Sequence, residues 1–193
     1  GYAGLELARL LALHPQARVT CVTGRSAQGQ RLSQLFPHLS QVDLPVTAEL
    51  DGEVDFVFSA LPHKASAEAV SALISAGLPV VDISADFRLR DPAEYAHWYN
   101  TPHPAPHLLN QAVYGLTELH REAVAAARLV ANPGCYPTSA ILALAPALKA
   151  GIVQPDIIVD SKSGVSGAGR TLSLTTHYSE VNENLQAYGL DGH

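Results

Sequence analysis

The sequence predicts a doubly wound α/β fold, in which helices cover the faces of a parallel sheet. Short runs rich in β-branched residues alternate with segments of helical periodicity along most of the chain. Glycine stands where predicted helices end, as at Gly77 and Gly151. With 193 residues and 47% hydrophobic content, the chain also has enough apolar material for a packed core.

The first half of the chain contains the clearest alternation. The helical spacing of its apolar residues predicts a helix over 4–14, and Pro15 ends it. The remaining elements are predicted as strands over 18–23, 54–58 and 79–83 and a helix over 65–76. Cys21 lies inside the first of these strands and is expected to be a core residue.

The second half begins with a segment, 91–114, that is rich in proline and aromatic residues and has no periodicity, so we expect a long loop or cap there. The elements predicted after it are a helix over 117–127, a strand over 128–131, a helix over 136–150 and a strand over 157–160. Pro146 should kink or divide the second of these helices.

Composition excludes several classes of function. The net charge is −6 and there is no run of Lys or Arg, so neither nucleic acid nor an anionic membrane is an expected partner. No apolar stretch reaches the roughly 18 residues of a membrane span, and no secretion signal is recognisable. We therefore expect a soluble, cytoplasmic protein.

Cysteine and histidine usage gives no metal site. The two cysteines form neither a disulfide framework nor a C-x-x-C pair. His103 and His107 have the spacing of metal ligands on a helix, but the prolines at 102, 104 and 106 exclude helical geometry. No metal is predicted.

The chain opens on Gly1 and Gly4, directly before the first predicted helix. Backbone N–H groups at a helix start can bind a phosphate, and the helix dipole favours its charge. The Gly-Tyr-Ala-Gly stretch therefore matches the end of a dinucleotide-binding fingerprint, although two glycines are also common in ordinary turns.

Arg25 and Ser26 follow the strand at 18–23, where an NAD-selective fold places an acidic residue about 20 residues after the glycines. No acidic residue occurs between Glu6 and Asp43. The guanidinium and hydroxyl groups suit the 2′-phosphate of NADP, the alternative being a solvated loop arginine. The sequence thus favours NADP over NAD. Residues 60–63, at the end of the next strand, either line the cofactor or turn the chain.

Cys135 is the most informative residue. It follows a predicted strand and Pro133-Gly134, and it begins a helix whose N-terminus favours a thiolate. A buried core cysteine is the alternative, but a core residue has no need of this turn. We therefore predict that Cys135 is a nucleophile.

Two further stretches carry groups that bind anions. The glycine-rich residues 163–170 could hold an anion in a backbone nest or form a flexible hairpin. Arg88 could bind a substrate anion or pair locally with Asp86, and the sequence leaves both open.

Taken together, six stretches closely resemble the N-acetyl-gamma-glutamyl-phosphate reductases of arginine biosynthesis: residues 1–7, 24–26, 60–63, 84–88, 132–138 and 163–170. The resemblance implies a Rossmann-type NADP-binding domain over 1–134, whose first strand is missing. It also implies that 135–193 is the start of an α+β catalytic and dimerisation domain, and that the full-length enzyme is a homo-oligomer. Because the sequence has no Met and stops at His193, we expect a chain cut at both ends and inactive alone.

The chemistry implied is NADPH-dependent reduction of N-acetyl-L-glutamyl 5-phosphate to the 5-semialdehyde through a thioester on Cys135. The acid/base histidine of the family lies in a Gly-His-Arg-His stretch. Gly192-His193 matches its first half, so His193 is assigned to the catalytic site and the second histidine is expected just beyond it.

The resemblance also assigns binding residues. The cofactor-binding residues are Gly1, Tyr2, Ala3, Gly4, Arg25, Ser26, Ala60, Leu61, Pro62, Pro133, Ser163 and Gly164. The substrate-binding residues are Arg88, Asn132, Ser166 and Gly167.

Other functions compete with this one. Within the same chemistry the rivals are aspartate-semialdehyde dehydrogenase, which typically surrounds its cysteine differently, and a reductase of carrier-protein-linked aminoadipyl or glutamyl phosphate. From other classes, a cysteine hydrolase would use Cys135 and His193, and a non-catalytic NADP-sensing module would not need the thiol at all.

Overall fold

Parallel strands form the centre of the fold in the computed structural model, which describes residues 1–190. The strands are β1 (Val22–Thr23), β2 (Val46–Thr47), β3 (Val57–Ser59), β4 (Val80–Asp82), β5 (Val113–Tyr114) and β6 (Leu129–Ala131). The helices are α1 (Tyr2–Ala12), α2 (Leu32–Leu35), α3 (Ala65–Ser75), α4 (Pro92–Tyr99), α5 (Thr117–Ala126), α6 (Cys135–Lys149) and α7 (Tyr178–Val181).

The strands pair in two parallel sheets. One contains β1 and β2, and the other has the order β3-β4-β6-β5. In the larger sheet Val80 of β4 is in register with Val57 on one side and Leu129 on the other. Because parallel pairs need crossover connections, helices α3, α4 and α5 lie between the successive strands of the larger sheet, and this confirms the predicted α/β fold class.

Two apolar cores hold the helices to the strands. The first packs α3 against the larger sheet and includes the buried residues Val70, Val80 and Leu129. The second packs Ala8 of α1 against Leu32 of α2 and the half-buried Val22 of β1. The first core therefore packs α3 against the larger sheet, and the second packs α1 against α2 and β1.

The segment 91–114 is not simply a loop, and the prediction for it was wrong in part. It contains the helix α4, whose start is capped by the Asp91 side chain accepting a hydrogen bond from the Ala93 amide at 2.7 Å. Pro92 occupies the first helical position, which is where proline favours a helix. Fully buried Tyr95 then anchors α4 to the protein.

Three smaller predictions also differ from the structure. Helix α6 runs over Cys135–Lys149 and is not divided at Pro146, one of the two predicted effects of this proline. Cys21 is half-buried, and only the last two residues of its predicted strand pair with a neighbour. The predicted strand at 157–160 does not form within the described residues: Ile158 is 98% exposed there, and no other segment accepts its backbone hydrogen bonds.

Candidate active site

The carboxyl ends of three neighbouring strands bring the predicted motifs to one edge of the sheet. The loops after β3, β4 and β6 are residues 60–64, 83–91 and 132–134, and β4 lies between the other two strands. Backbone hydrogen bonds extend the ladder into these loops, from Ile83 to the carbonyl of Ser59 at 2.9 Å and from Asn132 to the carbonyl of Asp82 at 2.8 Å. Ligands bind at this edge in open parallel sheets.

Cys135 is the first residue of α6 and is exposed, as a nucleophile must be. Thr138 closes the first helical turn, with its amide and its hydroxyl donating to the carbonyl of Gly134 at 3.0 Å and 2.8 Å. Among the described residues, the amides of Gly134 and Cys135 have no backbone acceptor. Amides with this placement stabilise a negative charge on the sulfur or on a nearby oxygen.

The turn before Cys135 is held by Arg88. Its Nε donates to the carbonyl of Asn132 at 2.9 Å and its Nη2 to the carbonyl of Ile83 at 2.9 Å. A Cβ at Gly134 would lie only 3.1 Å from Nη1, so the glycine allows the guanidinium to approach the turn. The carboxylate of Asp86 makes its hydrogen bonds elsewhere, so local pairing with Arg88, one of the two predicted possibilities, is not seen.

Asp86 instead caps helix α3 from the neighbouring loop. Its fully buried carboxylate accepts hydrogen bonds from the amides of Lys64 and Ala67, at 3.0 Å and 2.8 Å, and from the Tyr95 hydroxyl at 2.7 Å. The Asp86 carbonyl bonds the Nε2 of His103 at 2.8 Å. Lys64 has a φ of +68°, a strained conformation that this cap helps to hold.

A second buried acid, Asp82, ends β4. The hydroxyls of Ser66 and Ser84 donate to it at 2.5 Å and 2.6 Å, and Ser66 is in turn bonded to Ser59 at 2.7 Å. Burial raises the pKa of Asp82 above its ordinary value, although these hydrogen bonds oppose the shift. The network ties the ends of β3 and β4 and the start of α3 together.

The predicted cofactor residues lie at the start of α1. An ideal Cβ at Gly4 would be 3.7 Å from the Cβ of Ala60, so the helix start lies against the loop after β3. An open cleft of about 360 Å³ beside it is lined by Tyr2, Ala3, Leu5, Glu6, Ser166 and Gly167. The structure therefore brings predicted cofactor-binding and substrate-binding residues into one cleft, at a helix N-terminus that suits a phosphate.

Residues 1–127 match the family model described as the NAD-binding domain of semialdehyde dehydrogenase, and residues 135–193 match the model of its dimerisation domain. The chain belongs to the semialdehyde dehydrogenase family. Curated proteins named N-acetyl-gamma-glutamyl-phosphate reductase match all of it, with 56% identity in Dehalococcoides mccartyi, 51% in Symbiobacterium thermophilum and 52% in Geotalea daltonii. The chain spans 57% of the length of these curated relatives.

These matches confirm the resemblance that the sequence motifs indicated. They also agree with the structure, because the start of α1 belongs to the part that matches the NAD-binding domain of semialdehyde dehydrogenases. Cys135 is the first residue of the second match.

Arg25 and Ser26 lie apart from the cleft residues in sequence but are accessible. They follow β1 in a short 3₁₀ turn, and both side chains are exposed. The turn is fixed by the amides of Gly24 and Gly29, which donate to the carbonyls of Thr47 and Val46 at 2.8 Å and 2.9 Å. Four other predicted cofactor-binding residues are also exposed and have room for a ligand: Leu61, Pro62, Ser163 and Gly164.

Sequence reasoning missed two tyrosines next to the nucleophile. Tyr136 follows Cys135, and the hydroxyl of Tyr188 donates to the Tyr136 hydroxyl at 2.6 Å. That hydrogen bond raises the pKa of Tyr188, and the nearby charges of Tyr136 and Cys135 act in the same direction. A hydrogen bond with Ser163 lowers the pKa and partly opposes this shift. Only the tyrosine directly after the cysteine carries a local signal, since Tyr188 reaches the site through tertiary structure.

Residues 1–190 contain no helix with the length and apolar character needed to cross a bilayer, and no cluster of three His, Cys, Asp or Glu side chains placed to hold a metal ion. His193, the predicted catalytic histidine, lies outside the described residues.

Proposed function

We propose that the protein containing this chain reduces N-acetyl-L-glutamyl 5-phosphate to N-acetyl-L-glutamate 5-semialdehyde with NADPH, through a thioester on Cys135. The observation that carries the proposal is the placement of Cys135: an exposed thiol at the first position of a 15-residue helix, on the sheet edge that also carries the loop packed against α1. The shared name of the curated relatives supports this substrate over the aspartyl and carrier-linked alternatives.

The first chemical step follows from the geometry of α6. The Cys135 thiolate attacks the acyl carbon, a C–S bond forms, and the C–O bond to phosphate breaks with its electron pair leaving on phosphate. The amides of Gly134 and Cys135, which have no backbone acceptor among the described residues, stabilise the thiolate and the oxygen on which charge develops.

The residues at the start of α1 fit a dinucleotide. The residues at 1–4 supply amides for the pyrophosphate, and the Ala60 methyl of the loop after β3 lies 3.7 Å from where a Cβ at Gly4 would be. Exposed Arg25 and Ser26 suit a 2′-phosphate, which supports NADP over NAD. NADPH, when bound, supplies the hydride that reduces the thioester. His193 is proposed as the acid/base group that manages the proton when the C–S bond breaks.

The same proposal covers the organisation of the protein. The domain boundary is placed between residues 134 and 135, at the start of the second family match. The match to a dimerisation domain supports a homo-oligomer. A cytoplasmic location and a small-molecule acyl phosphate substrate complete the proposal.

The test uses the full-length gene product in the reverse direction, where the semialdehyde, phosphate and NADP⁺ yield NADPH absorbing in the near ultraviolet. Cys135→Ser should reduce the rate by at least about 10³-fold, because the nucleophile is lost. Cys21→Ser is the matched control and should keep the rate, since the Cys21 thiol contacts Thr47 beside the smaller sheet.

Two results would contradict the proposal. One is a Cys135→Ser protein that keeps its phosphate-dependent activity. The other is a higher rate with aspartate semialdehyde than with N-acetylglutamate semialdehyde. Mixing the acyl phosphate with enzyme in the absence of NADPH should also add the acyl mass to the wild-type protein and not to Cys135→Ser.

A further inference from the structure

We propose that Arg170 is a positioning residue, whose guanidinium stacks on the Phe36 ring and holds the glycine-rich loop, residues 163–170, over the cleft at the start of α1. Phe36 belongs to the part of the chain that matches the NAD-binding domain, and Arg170 belongs to the part that matches the dimerisation domain. The contact therefore joins the two parts. Its effect on cofactor affinity rests on the proposed reductase function, while the contact itself does not.

The contact between the two side chains is a cation–π interaction. The Cζ of Arg170 lies 5.0 Å from the centroid of the Phe36 ring, within the roughly 6 Å over which an aromatic face attracts a guanidinium. In the part of the chain that the structure describes, Arg170 forms no ion pair with an acidic side chain. The ring is therefore the partner that fixes this guanidinium.

Phe36 is a fixed platform for the guanidinium. Its half-buried ring packs against the apolar core that contains Ala8 of α1 and Leu32 of α2. Its amide donates to the Leu32 carbonyl at 2.9 Å, and its carbonyl accepts from the Leu39 amide at 2.9 Å, so the backbone is held on both sides. Leu5, which lines the cleft, packs against the same core. The ring is thus held in place relative to the cleft.

The glycine-rich loop has few other restraints. Its residues are all exposed, and the backbone hydrogen bonds that Gly167 and Gly169 donate end on carbonyls of the loop itself. Ser163, at the start of the loop, forms a hydrogen bond with Tyr188, which lies in the same part of the chain. Arg170, at the end of the loop, is therefore the charged contact that ties it to the part of the chain carrying α1.

The cleft lies between α1 and this loop. Its lining residues are Tyr2, Ala3, Leu5 and Glu6 on one side and Ser166 and Gly167 on the other. If the guanidinium leaves the ring, the loop is free to move away from α1, and a bound dinucleotide must then order it again. A loop that is already held in place costs less to order on binding. The contact should therefore raise the affinity for NADPH and for NADH by the same factor.

The experiment compares Arg170→Gln, Phe36→Leu and the double variant of the full-length gene product. Phe36→Tyr keeps the aromatic ring, and Arg121→Gln, at an exposed position of α5, is the matched control. Fluorescence titration gives the dissociation constants for NADPH and NADH. Hydrogen–deuterium exchange of the cofactor-free protein, followed by mass spectrometry, reports opening of the loop at Gly167 and Gly169. The midpoint of thermal unfolding reports folding.

If Arg170 positions the loop, Arg170→Gln and Phe36→Leu each weaken the binding of both cofactors about 2- to 5-fold and speed exchange in the loop by a similar factor. The double variant binds no more weakly than either single variant, because the two side chains share one contact. Phe36→Tyr and Arg121→Gln bind both cofactors with the wild-type affinity.

Stacking leaves the guanidinium N–H groups open to an anion, and the comparison of the two cofactors separates the two roles. A loss in Arg170→Gln that is larger for NADPH than for NADH, with no loss in Phe36→Leu, would overturn the inference in favour of a 2′-phosphate contact. Losses that multiply in the double variant would show that the side chains act independently. Unchanged affinity for both cofactors would also overturn it, whether or not the unfolding midpoint or the KM for the acyl phosphate changes.

Failure of the proposed function has a separate signature. A wild-type protein that binds neither NADPH nor NADH would refute the reductase assignment, and the exchange rates would still decide whether Arg170 and Phe36 hold the loop. If Phe36→Leu fails to fold, Arg170→Gln still decides, because it changes an exposed side chain and reports both loop exchange and the ratio of the two cofactor affinities.

Discussion

Replacing Asp86 by Asn should destabilise the fold by about 2–4 kcal/mol. The carboxylate accepts from Lys64 and Tyr95 on one oxygen and from Ala67 on the other. An amide keeps only one acceptor atom, so its NH₂ group must face at least one buried N–H or O–H donor. A lost hydrogen bond to a charged group costs about 1.5–3 kcal/mol, and removing the charge at the α3 N-terminus adds about 0.3–1 kcal/mol.

The matched control is Asp91→Asn, which makes the same chemical change at an exposed cap. Asp91 accepts one hydrogen bond, from Ala93, and Asn caps a helix about as well as Asp, so the expected loss is below about 0.5 kcal/mol. Urea unfolding followed by circular dichroism and by the fluorescence of Trp98, the single tryptophan of the chain, gives both free energies.

A double-mutant cycle sharpens this test. Tyr95→Phe alone removes one donor to the carboxylate and should cost about 1.5–3 kcal/mol. This cost should become smaller once Asp86 is Asn, because the two side chains share a hydrogen bond. The assignment of Asp86 as the cap of α3 would be refuted if the unfolding free energy of Asp86→Asn lay within about 0.5 kcal/mol of the wild-type value. It would also be refuted if Asp86→Asn were no less stable than Asp91→Asn.

Three further predictions concern charge, cofactor and packing. Folded Asp82 holds its proton more tightly than the unfolded chain does, so its stabilising contribution is full below its ordinary pKa of 3.8 and is lost as the pH rises through the higher folded pKa. The unfolding free energy of wild type minus that of Asp82→Asn should therefore fall as the pH rises above 3.8, and a difference that does not change with pH would contradict the shift. In the full-length gene product, Arg25→Leu should weaken NADPH binding about 10- to 100-fold and NADH binding less than about 3-fold. The control Arg121→Leu, on the exposed face of α5, should change the affinity for neither cofactor. Equal losses of affinity for the two cofactors would refute a contact between Arg25 and the 2′-phosphate. Gly115→Ala should cost about 1–3 kcal/mol in urea unfolding, because its Cβ would meet a methyl carbon of β6 at 2.7 Å, and a cost near zero would show that the strand can shift.

The parts of the fold that could be predicted from the sequence are those set by local pattern. Helices α3 and α5 follow from apolar periodicity and begin at the predicted residues. The position of Cys135 follows from a strand, a Pro-Gly pair and a helix in immediate succession, which leave one place for the cysteine. The helix α4 could also have been predicted, since Asp91-Pro92 is a helix start, but the nearby prolines and the lack of periodicity concealed it.

The parts that could not be predicted depend on tertiary contacts. Asp86 caps a helix that begins 21 residues earlier in the chain, and nothing in its local sequence distinguishes it from a partner for Arg88. Arg88 itself reaches a carbonyl 44 residues away. The residues 157–160 have strand composition but no neighbouring strand among the described residues, and a strand without a partner leaves its backbone groups to water.

The sheet order explains why two buried acids lie between the two functional loops. Because β4 is flanked by β3 and β6, the loop after β4 must contact both the loop next to α1 and the Cys135 turn. The start of α3 presents amides there that have no partner inside their own helix, so the loop needs acceptors, and Asp86 supplies them. An apolar residue of the same volume would leave those amides unpaired, at a cost of about 1–3 kcal/mol each. Every buried polar side-chain atom among the described residues is hydrogen-bonded, so the carboxylate oxygens of Asp82 and Asp86 all have hydrogen-bond partners. The same loop therefore links the start of α3, through Asp86, to the turn before Cys135, through the hydrogen bond from Arg88 to the Asn132 carbonyl.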